Sequence, residues 1–431
     1  MPPRFGSVAD DFTGASDLAD TLVASGLSTI LLIGLPEGGK LPAEAADTDA
    51  VVFALKTRSI QSSEAVRQSL AALRFLRSAG CRHLYFKYCS TFDSTNSGNI
   101  GPVADALLDE VGGDFTIFCP AFPKNARKIF NGYLFVGPVL LSESGMQNHP
   151  LTPMTDPNLV RVLQGQTRHK VGLISFDAVK NGASAIRGAI QKLRGEGVRY
   201  AIVDAVDDDD LAAIGTAALD EDLAFTTGAS GLGGGLALGL RDPAQSATQR
   251  AAMKFPIVQG PAAIIAGSCS RATLGQIEHF VKADKSFFRV EIDSLLMGKD
   301  RVIANALAWA KSRLGSEPLL IAASEPPAAV AQHQQAHGRE RIGHLIESAL
   351  SEIADGLVNA GVRRLILAGG ETSSAAVERL GVRALRIGPT IDPGVPWTFS
   401  LGSDPLALAL KSGNFGAPDF FTSAFKKLPG S

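Results

Sequence analysis

A chain of 431 residues with 45% hydrophobic and 19% charged residues exceeds what one hydrophobic core usually serves, roughly 250–300 residues, so two domains are expected. The formal net charge of −2 gives no electrostatic footprint for nucleic acid and suits small neutral or anionic ligands. No segment approaches the ~18 apolar residues of a membrane span. Met1-Pro2-Pro3-Arg4-Phe5-Gly6 has no apolar run behind a basic start. Cys81, Cys89, Cys119 and Cys269 form neither a CxxC pair nor a metal spacing. A cytoplasmic protein with reduced cysteines, and with neither a membrane nor a nucleic-acid partner, is the expectation.

Short runs rich in Val, Ile, Leu and Phe alternate with stretches of helical period, the pattern of βα units around a parallel sheet. After a first strand ending at Val8-Ala9, strands are expected near Thr29–Ile33, Val51–Leu55, Leu84–Lys87, Phe115–Cys119, Val171–Ser175 and Tyr200–Val203. Helices such as Ser62–Arg77 and Ala183–Arg194 lie between them. Tyr133–Leu141 breaks this rhythm as two short apolar pieces around Gly137-Pro138, read as a flap or as a homodimer contact. From Leu240 to Gly260 apolar periodicity is lost, which places a linker at 241–260 between domains 1–240 and 261–431. The rhythm restarts with strands near Ala262–Ala266, Phe287–Ile292, Leu319–Ala322, Arg364–Leu367 and Ala384–Ile387, and a helical stretch at Arg301–Arg313. The fold class expected is α/β, with two Rossmann-like three-layer domains and an interdomain cleft.

Three strand ends of the first half carry chemistry. Asp10-Asp11-Phe12-Thr13-Gly14 leaves the first strand as an acidic, hydroxyl-bearing turn. Adjacent carboxylates repel, so such a pair usually holds a polyol, a proton or a metal; the plainer reading is helix capping by Asp11 or Thr13. Lys56-Thr57-Arg58-Ser59 and Lys87-Tyr88-Cys89-Ser90-Thr91-Phe92-Asp93-Ser94 also leave strands. Arg58 and Lys87 suit a substrate carboxylate, while Asp10, Asp93 and Ser94 suit hydroxyls, together pointing to a small sugar acid.

Glycine-rich turns dominate the second half. Gly369-Gly370-Glu371-Thr372-Ser373 runs from a buried strand into a helix, and Gly267-Ser268-Cys269-Ser270 repeats that grammar. Glycines let backbone approach an anion, and helix N-termini offer unsatisfied N–H groups; a lone turn of this kind is more commonly just a tight βα connection. Leu410-Lys411-Ser412-Gly413-Asn414-Phe415-Gly416 is a third candidate, able to approach a triphosphate or adenosine.

Other patterns are decoys. Gly34–Lys40 matches GxxxxGK, but Leu41-Pro42 supplies neither the hydroxyl nor the helix of a P-loop. Thr227-Gly228-Ala229-Ser230-Gly231-Leu232-Gly233-Gly234 resembles a dinucleotide fingerprint and carries the rival reading of an NAD-dependent dehydrogenase, yet it sits at the close of a domain and reads better as close helix packing. Asp207–Asp210 is explained by a helix start. His333 and His337 have zincin spacing, but Gln334 replaces the catalytic Glu, and the metal ligands are left unassigned.

The order Ala9-Asp10-Asp11-Phe12-Thr13-Gly14, Asp93-Ser94-Thr95 with Gly98-Asn99, Gly267-Ser268-Cys269-Ser270, Gly369-Gly370-Glu371-Thr372-Ser373 and Lys411-Ser412-Gly413-Asn414-Phe415-Gly416 resembles the four-carbon acid sugar kinase family over nearly the whole chain. The segments Phe86–Thr95, Leu141–Met146 and Pro153–Thr155 are most similar to its 3-oxotetronate branch. Thr91 stands where threonate-type relatives carry Lys; threonate or erythronate kinases are the alternative within the family. The resemblance implies an N-terminal sugar-acid domain, a C-terminal nucleotide domain, and transfer of the ATP γ-phosphoryl group, with Mg²⁺, to a 4-hydroxyl. By motif, Asp10, Asp11, Arg58, Lys87, Ser90, Asp93 and Ser94 would meet the acid, with Asp10 or Asp93 as catalytic acceptor. Ser268, Ser270, Gly369, Gly370, Glu371, Thr372, Ser373 and Gly413 would meet ATP.

Overall fold

Each short aliphatic run of the first half forms a strand that hands over to a helix or turn at its C-terminal end. The structure, a computed structural model, describes residues 2–36, 40–45, 48–149, 152–241, 255–315, 317–325 and 327–430. The chain divides into two compact units, Met1–Met253 and Lys254–Ser431. Most of the expected linker, residues 242–254, lies outside the described residues, as do Glu37–Gly39 of the GxxxxGK decoy.

In the first unit the strands are β1 Phe5–Ala9, β2 Thr29–Ile33, β3 Ala50–Ala54, β4 His83–Lys87, β5 Thr116–Cys119, β6 Arg127–Phe130, β7 Tyr133–Val136, β8 Val139–Leu140, β9 Val171–Ile174, β10 Tyr200–Val203 and β11 Phe225–Gly228. Eight of these, described in the order β2-β3-β1-β4-β11-β5-β10-β9, pair in parallel. Every residue of β1 to β4 is buried, so both sheet faces are covered, the condition of a three-layer α/β fold. Register matters most at β1, where Ala9 lies opposite Ala54 of β3 and Lys87 of β4. Three strands therefore end at one level, where open α/β sheets bind ligands.

The interruption of the rhythm is a meander of β6, β7 and β8. Its first turn is Asn131-Gly132, with φ of 50° and 76°, the left-handed pair that a tight hairpin requires. Buried Asp204 accepts from the N–H groups of Asn131, Gly132 and Phe176 and anchors that turn. The acidic run at 207 to 210 forms a capping box, Asp207 with Asp210, at the start of the helix Asp208–Asp220.

The helix Ser230–Leu240 is buried from Ser230 to Ala237. A Cβ on Gly231 would lie 2.4 Å from Ala121 O, and one on Gly235 would lie 2.1 Å from Leu211 O. Those glycines permit close packing, and they leave no room for a dinucleotide on the Thr227–Gly234 segment.

The second unit contains β12 Ala262–Ala266, β13 Phe287–Arg289, β14 Leu319–Ala322, β15 Arg364–Ala368, β16 Ala384–Asp392, β17 Val395–Ser400 and β18 Ala407–Lys411. Their order is β13-β14-β12-β15-β18-β17-β16, with β17 antiparallel to both neighbours. The strand expected at Phe287–Ile292 stops at Arg289, because Glu291 and Ile292 open the helix Ile292–Lys311. Val290 and Ile292 are buried beyond the strand and produced the apolar pattern. The central β18 had no strand signal, being Ala-Leu-Ala-Leu-Lys, yet all five residues are buried. Trp397 fills the core and donates from Nε1 to Ala424 O at 3.0 Å.

Candidate functional site

The ends of β1, β3 and β4 build a polar crevice in the first unit. Asp10 N–H donates to Lys87 O, and Thr57 and Arg58 N–H groups donate to Asp10 O, which ties the three turns together. Arg58 lies across them. Its Nε donates to Asp10 Oδ2 at 3.0 Å, and its Nη2 donates to Asp10 Oδ1 and Asp11 Oδ1, both at 2.7 Å. Its Nη1 stands 4.0 Å from Asp93 Oδ2, too far for a hydrogen bond. Asp10, Arg58, Asp93, Ser94 and Asn99 line one crevice.

Burial pushes the Asp10 carboxyl above the usual carboxylate range, and Arg58 pulls against that shift. For Asp11 burial is outweighed by Arg58 and Lys87, by the Thr13 hydroxyl and by the Gly14 N–H, so its carboxyl lies below that range. Burial opposes the charge on Arg58, but Asp10 and Asp11 hold it more firmly protonated than a free guanidinium. Asp11 is also the N-cap of the helix Phe12–Ala24, accepting from Gly14 N–H at 3.0 Å. The plain capping role and the Arg58 contact coexist in one side chain.

Asp93 is presented by a tight turn in which Phe92 N–H donates to Cys89 O and Phe92 adopts φ of 53°. A bulky residue in that region is strained, and here the buried Phe92 ring, packed edge-on to Tyr88, holds it. Thr91 Oγ1 donates to Asp93 Oδ1 at 2.6 Å. Ser90 belongs to the same turn. Ser94 is buried and bonded to Gln166 Oε1 at 3.1 Å. Lys87 is 2% exposed and donates to Tyr88 O, so its ammonium lies beneath the start of the helix Phe12–Ala24, 3.0 Å from where a Gly14 Cβ would sit.

Three residues in this framework had no role assigned from the sequence, Asn99 being part of the Gly98-Asn99 motif but without a stated function. Asn99 donates to the carbonyls of Thr57 and Ile60, stapling the Arg58 turn. Gln166 accepts from Gly101 N–H and Ser94 Oγ. Asp17, one helical turn below Gly14, accepts from Ser230 Oγ at 2.6 Å and leaves Oδ1 buried without a partner among the described residues. Burial raises its carboxyl to about 7.

In the second unit β12, β15 and β18 are adjacent, with Ala266 opposite Ala368 and Ala368 opposite Lys411. All three glycine-bearing turns therefore leave the sheet side by side. Gly267 N–H donates to Ala368 O and Gly369 N–H to Lys411 O. Ser270 caps the helix Arg271–Lys282, and its Oγ donates to Gly413 O at 2.5 Å. A Cβ on Gly413 would lie 2.3 Å from Ser268 Oγ, and one on Gly267 would lie 2.3 Å from Thr372 Oγ1. Gly369, at φ of 127°, has a conformation that side chains rarely adopt, and no side chain caps the helix Gly370–Arg379 that it opens. Glu371 is exposed, Thr372 is buried, and the Ser373 hydroxyl is spent on Leu367 O. This is a backbone-lined cradle closed to larger residues, and it fits a phosphate-bearing ligand.

Among the described residues no group of three or more His, Cys, Asp or Glu side chains is placed to hold a metal. His333 faces Asp293 at 3.6 Å and Glu325 at 3.5 Å, ion-pair spacing, while His337 is exposed. All four cysteines are free. Among the described residues no helix is long and apolar enough to cross a membrane.

Residues 5–236 match the family model of a sugar-binding N-terminal domain, and residues 263–421 match that of a nucleotide-binding C-terminal domain. The chain is 52% identical over 431 residues to a 3-oxo-tetronate kinase of Burkholderia multivorans, covering all of this chain and 98% of that one. It is 52% identical over 429 residues to the 3-oxo-tetronate kinase of Cupriavidus necator, covering 99% and 98%. A Salmonella typhimurium LT2 crystal structure, provisionally described as a tRNA synthase, superposes with a TM-score of 0.84 at 40% identity over 98% of this chain and 99% of that one. A Haemophilus influenzae structure does so with a TM-score of 0.75 at 43% identity, covering 98% and 100%. With both family models matched in order and relatives aligned from end to end, the chain belongs to the four-carbon acid sugar kinase family.

Proposed function

We propose that this chain is an ATP-dependent kinase that phosphorylates the 4-hydroxyl of a 3-oxo four-carbon sugar acid. The observation that carries the reading is the end-to-end similarity to 3-oxo-tetronate kinases in a chain that builds both an acid-rich crevice and a backbone phosphate cradle. The first unit takes the acid and the second takes the nucleotide, through Ser268, Ser270, the Gly369–Thr372 turn and Gly413.

Phosphoryl transfer depends on positioning and on neutralising charge more than on covalent chemistry. The substrate's 4-hydroxyl oxygen forms the new bond to the γ-phosphorus as the bond to the β,γ-bridging oxygen breaks, and its proton passes to a carboxylate. Asp93 suits that role: Oδ1 is held by Thr91, while Oδ2 makes no hydrogen bond among the described residues. Asp10, with both oxygens on Arg58, instead fixes the guanidinium and leaves Nη1 to meet a substrate oxygen. Mg²⁺ accompanying the nucleotide would supply charge neutralisation at the phosphates.

Thr91 favours the oxo-acid over the threonate reading, since it holds Asp93 rather than placing a second ammonium in the crevice. The dehydrogenase reading is not favoured, because the Thr227–Gly234 segment is packed shut. A thermal-shift comparison tests the proposal: Mg-ATP raises the melting temperature and NAD(H) does not. Stabilisation by NAD(H) alone would overturn it.

A further inference from the structure

Lys411, the last residue of β18, points inward. It is fully buried, and its Nζ lies 3.0 Å from each of four acceptors: Thr273 Oγ1 and the carbonyls of Ser412, Gly413 and Phe415. Four acceptors around three N–H donors wrap the loop 412–415 about a single cation. Thr273 Oγ1 also donates to Gly413 O at 2.9 Å, so helix Arg271–Lys282 and the loop are locked through the same two side chains.

In a trans peptide the carbonyl and the following N–H point in opposite directions. Turning the carbonyls of Ser412, Gly413 and Phe415 toward the ammonium therefore turns the N–H groups of Gly413, Asn414 and Gly416 away from it. None of those three N–H groups donates to another group among the described residues. Asn414 is exposed, so the outward side of the loop is reachable from solvent. The Gly413 and Asn414 N–H groups are consecutive, the Phe415 N–H turns back to Ser412 O at 3.2 Å, and the Gly416 N–H follows; consecutive unpaired N–H groups form an anion-binding nest. This one stands beside Ser268, against which Gly413 packs with no space for a Cβ.

We propose that Lys411 is a positioning residue of the nucleotide cradle, whose ammonium acts from behind the loop to aim the N–H groups of Gly413, Asn414 and Gly416 at a phosphate-bearing ligand. The proposal rests on the assignment of the nucleotide to the second unit. It differs from a lysine that itself contacts phosphate, because the ammonium has no path past its own shell of carbonyls. Burial lowers the Lys411 ammonium to about 7, the direction expected of a cation without an acidic partner, and an anion across the loop supplies the missing counter-charge.

The test is direct binding of ADP and steady-state kinetics on the full chain, comparing wild type with Lys411→Met, Thr273→Val and Thr273→Ser. Thr273→Val removes one arm of the knot while keeping the cation, and it decides the matter if Lys411→Met fails to fold. The expected result is a dissociation constant for ADP, and a KM for ATP, raised roughly tenfold or more in Lys411→Met and Thr273→Val. Thr273→Ser is expected to stay near wild type, and KM for the sugar acid to stay unchanged in all three. Wild-type nucleotide affinity in folded Lys411→Met and in Thr273→Val would overturn the positioning role while leaving the nucleotide assignment standing. Failure of the wild-type chain to bind ADP at all would overturn the assignment and the inference with it.

Discussion

Arg58 grips both carboxylate oxygens of Asp10, Nε to Oδ2 at 3.0 Å and Nη2 to Oδ1 at 2.7 Å, across a gap of 48 residues in sequence. The fork geometry is specific to a guanidinium, since an ammonium is a single point of charge. Arg58→Lys is therefore expected to lower kcat/KM for the sugar acid at least tenfold while leaving KM for ATP unchanged. Arg58→Met leaves Asp10 buried without its cation and is expected to cost roughly 1–3 kcal/mol of stability, less than for a fully buried pair because Arg58 retains some exposure. Steady-state kinetics and urea unfolding check the two effects.

Replacement of the two candidate acids separates their roles. Asp93→Asn removes the proposed proton acceptor and is expected to lower kcat by about 100-fold or more with ADP affinity intact. Asp10→Asn loosens Arg58, so its larger effect falls on KM for the sugar acid. Full activity in both variants would remove the crevice from the mechanism.

Asp17 gives a pH signature. Its folded-state carboxyl is raised to about 7 from an ordinary 3.8, chiefly by burial. Between those values the folded chain keeps a proton that the unfolded chain has released, so this contribution to stability is full below about 3.8 and is lost as pH rises toward 7. Asp17→Asn keeps an acceptor for the Ser230 hydroxyl and does not titrate. Its melting temperature relative to wild type is expected to climb by several degrees from pH 5 to pH 7.5. A difference constant across that range would contradict the assignment.

The cradle makes a steric prediction. Gly413→Ala places a methyl 2.3 Å from Ser268 Oγ, and Gly267→Ala places one 2.3 Å from Thr372 Oγ1 and 2.9 Å from Leu350 Cδ1. Each is expected to raise KM for ATP several-fold with KM for the sugar acid unchanged, as measured by varying each substrate in turn.

Much of this arrangement was legible because βα units announce their own strand ends. Asp10, Arg58 and Asp93 each follow a buried aliphatic or aromatic run, and the register of β1 with β3 and β4 brings the three runs level. The turns at Gly267 and Gly369 were readable for the same reason. Where the pattern was ambiguous, tertiary context decided. Ala407–Lys411 has no β-branched residue and becomes a central strand only because β15 and β17 flank it. Val290 and Ile292 look like strand, but Val290 lies beyond the end of β13 and Ile292 opens a helix. The two apolar pieces around Gly137-Pro138 do pair, as β7 and β8, and the Asn131-Gly132 turn before them, a strong hairpin dipeptide, adds β6 to the same meander.

Side-chain direction lay beyond the pattern altogether. Lys87 and Lys411 both end strands in turns rich in hydroxyls, where a lysine reads as an anion anchor, yet both ammonium groups turn inward onto backbone carbonyls. Asn99 and Gln166 act through bonds to segments some 40 and 70 residues away, which no local window contains.

Incubation of the purified chain with Mg-ATP and a panel of four-carbon acids, tetronates alongside 3-oxotetronates, tests the central claim most directly. The expected result is ADP release together with a 4-phosphate product, with the highest kcat/KM on a 3-oxotetronate. Turnover of no member of the panel would contradict the kinase assignment, and a preference for threonate or erythronate would contradict the reading of Thr91 and Asp93.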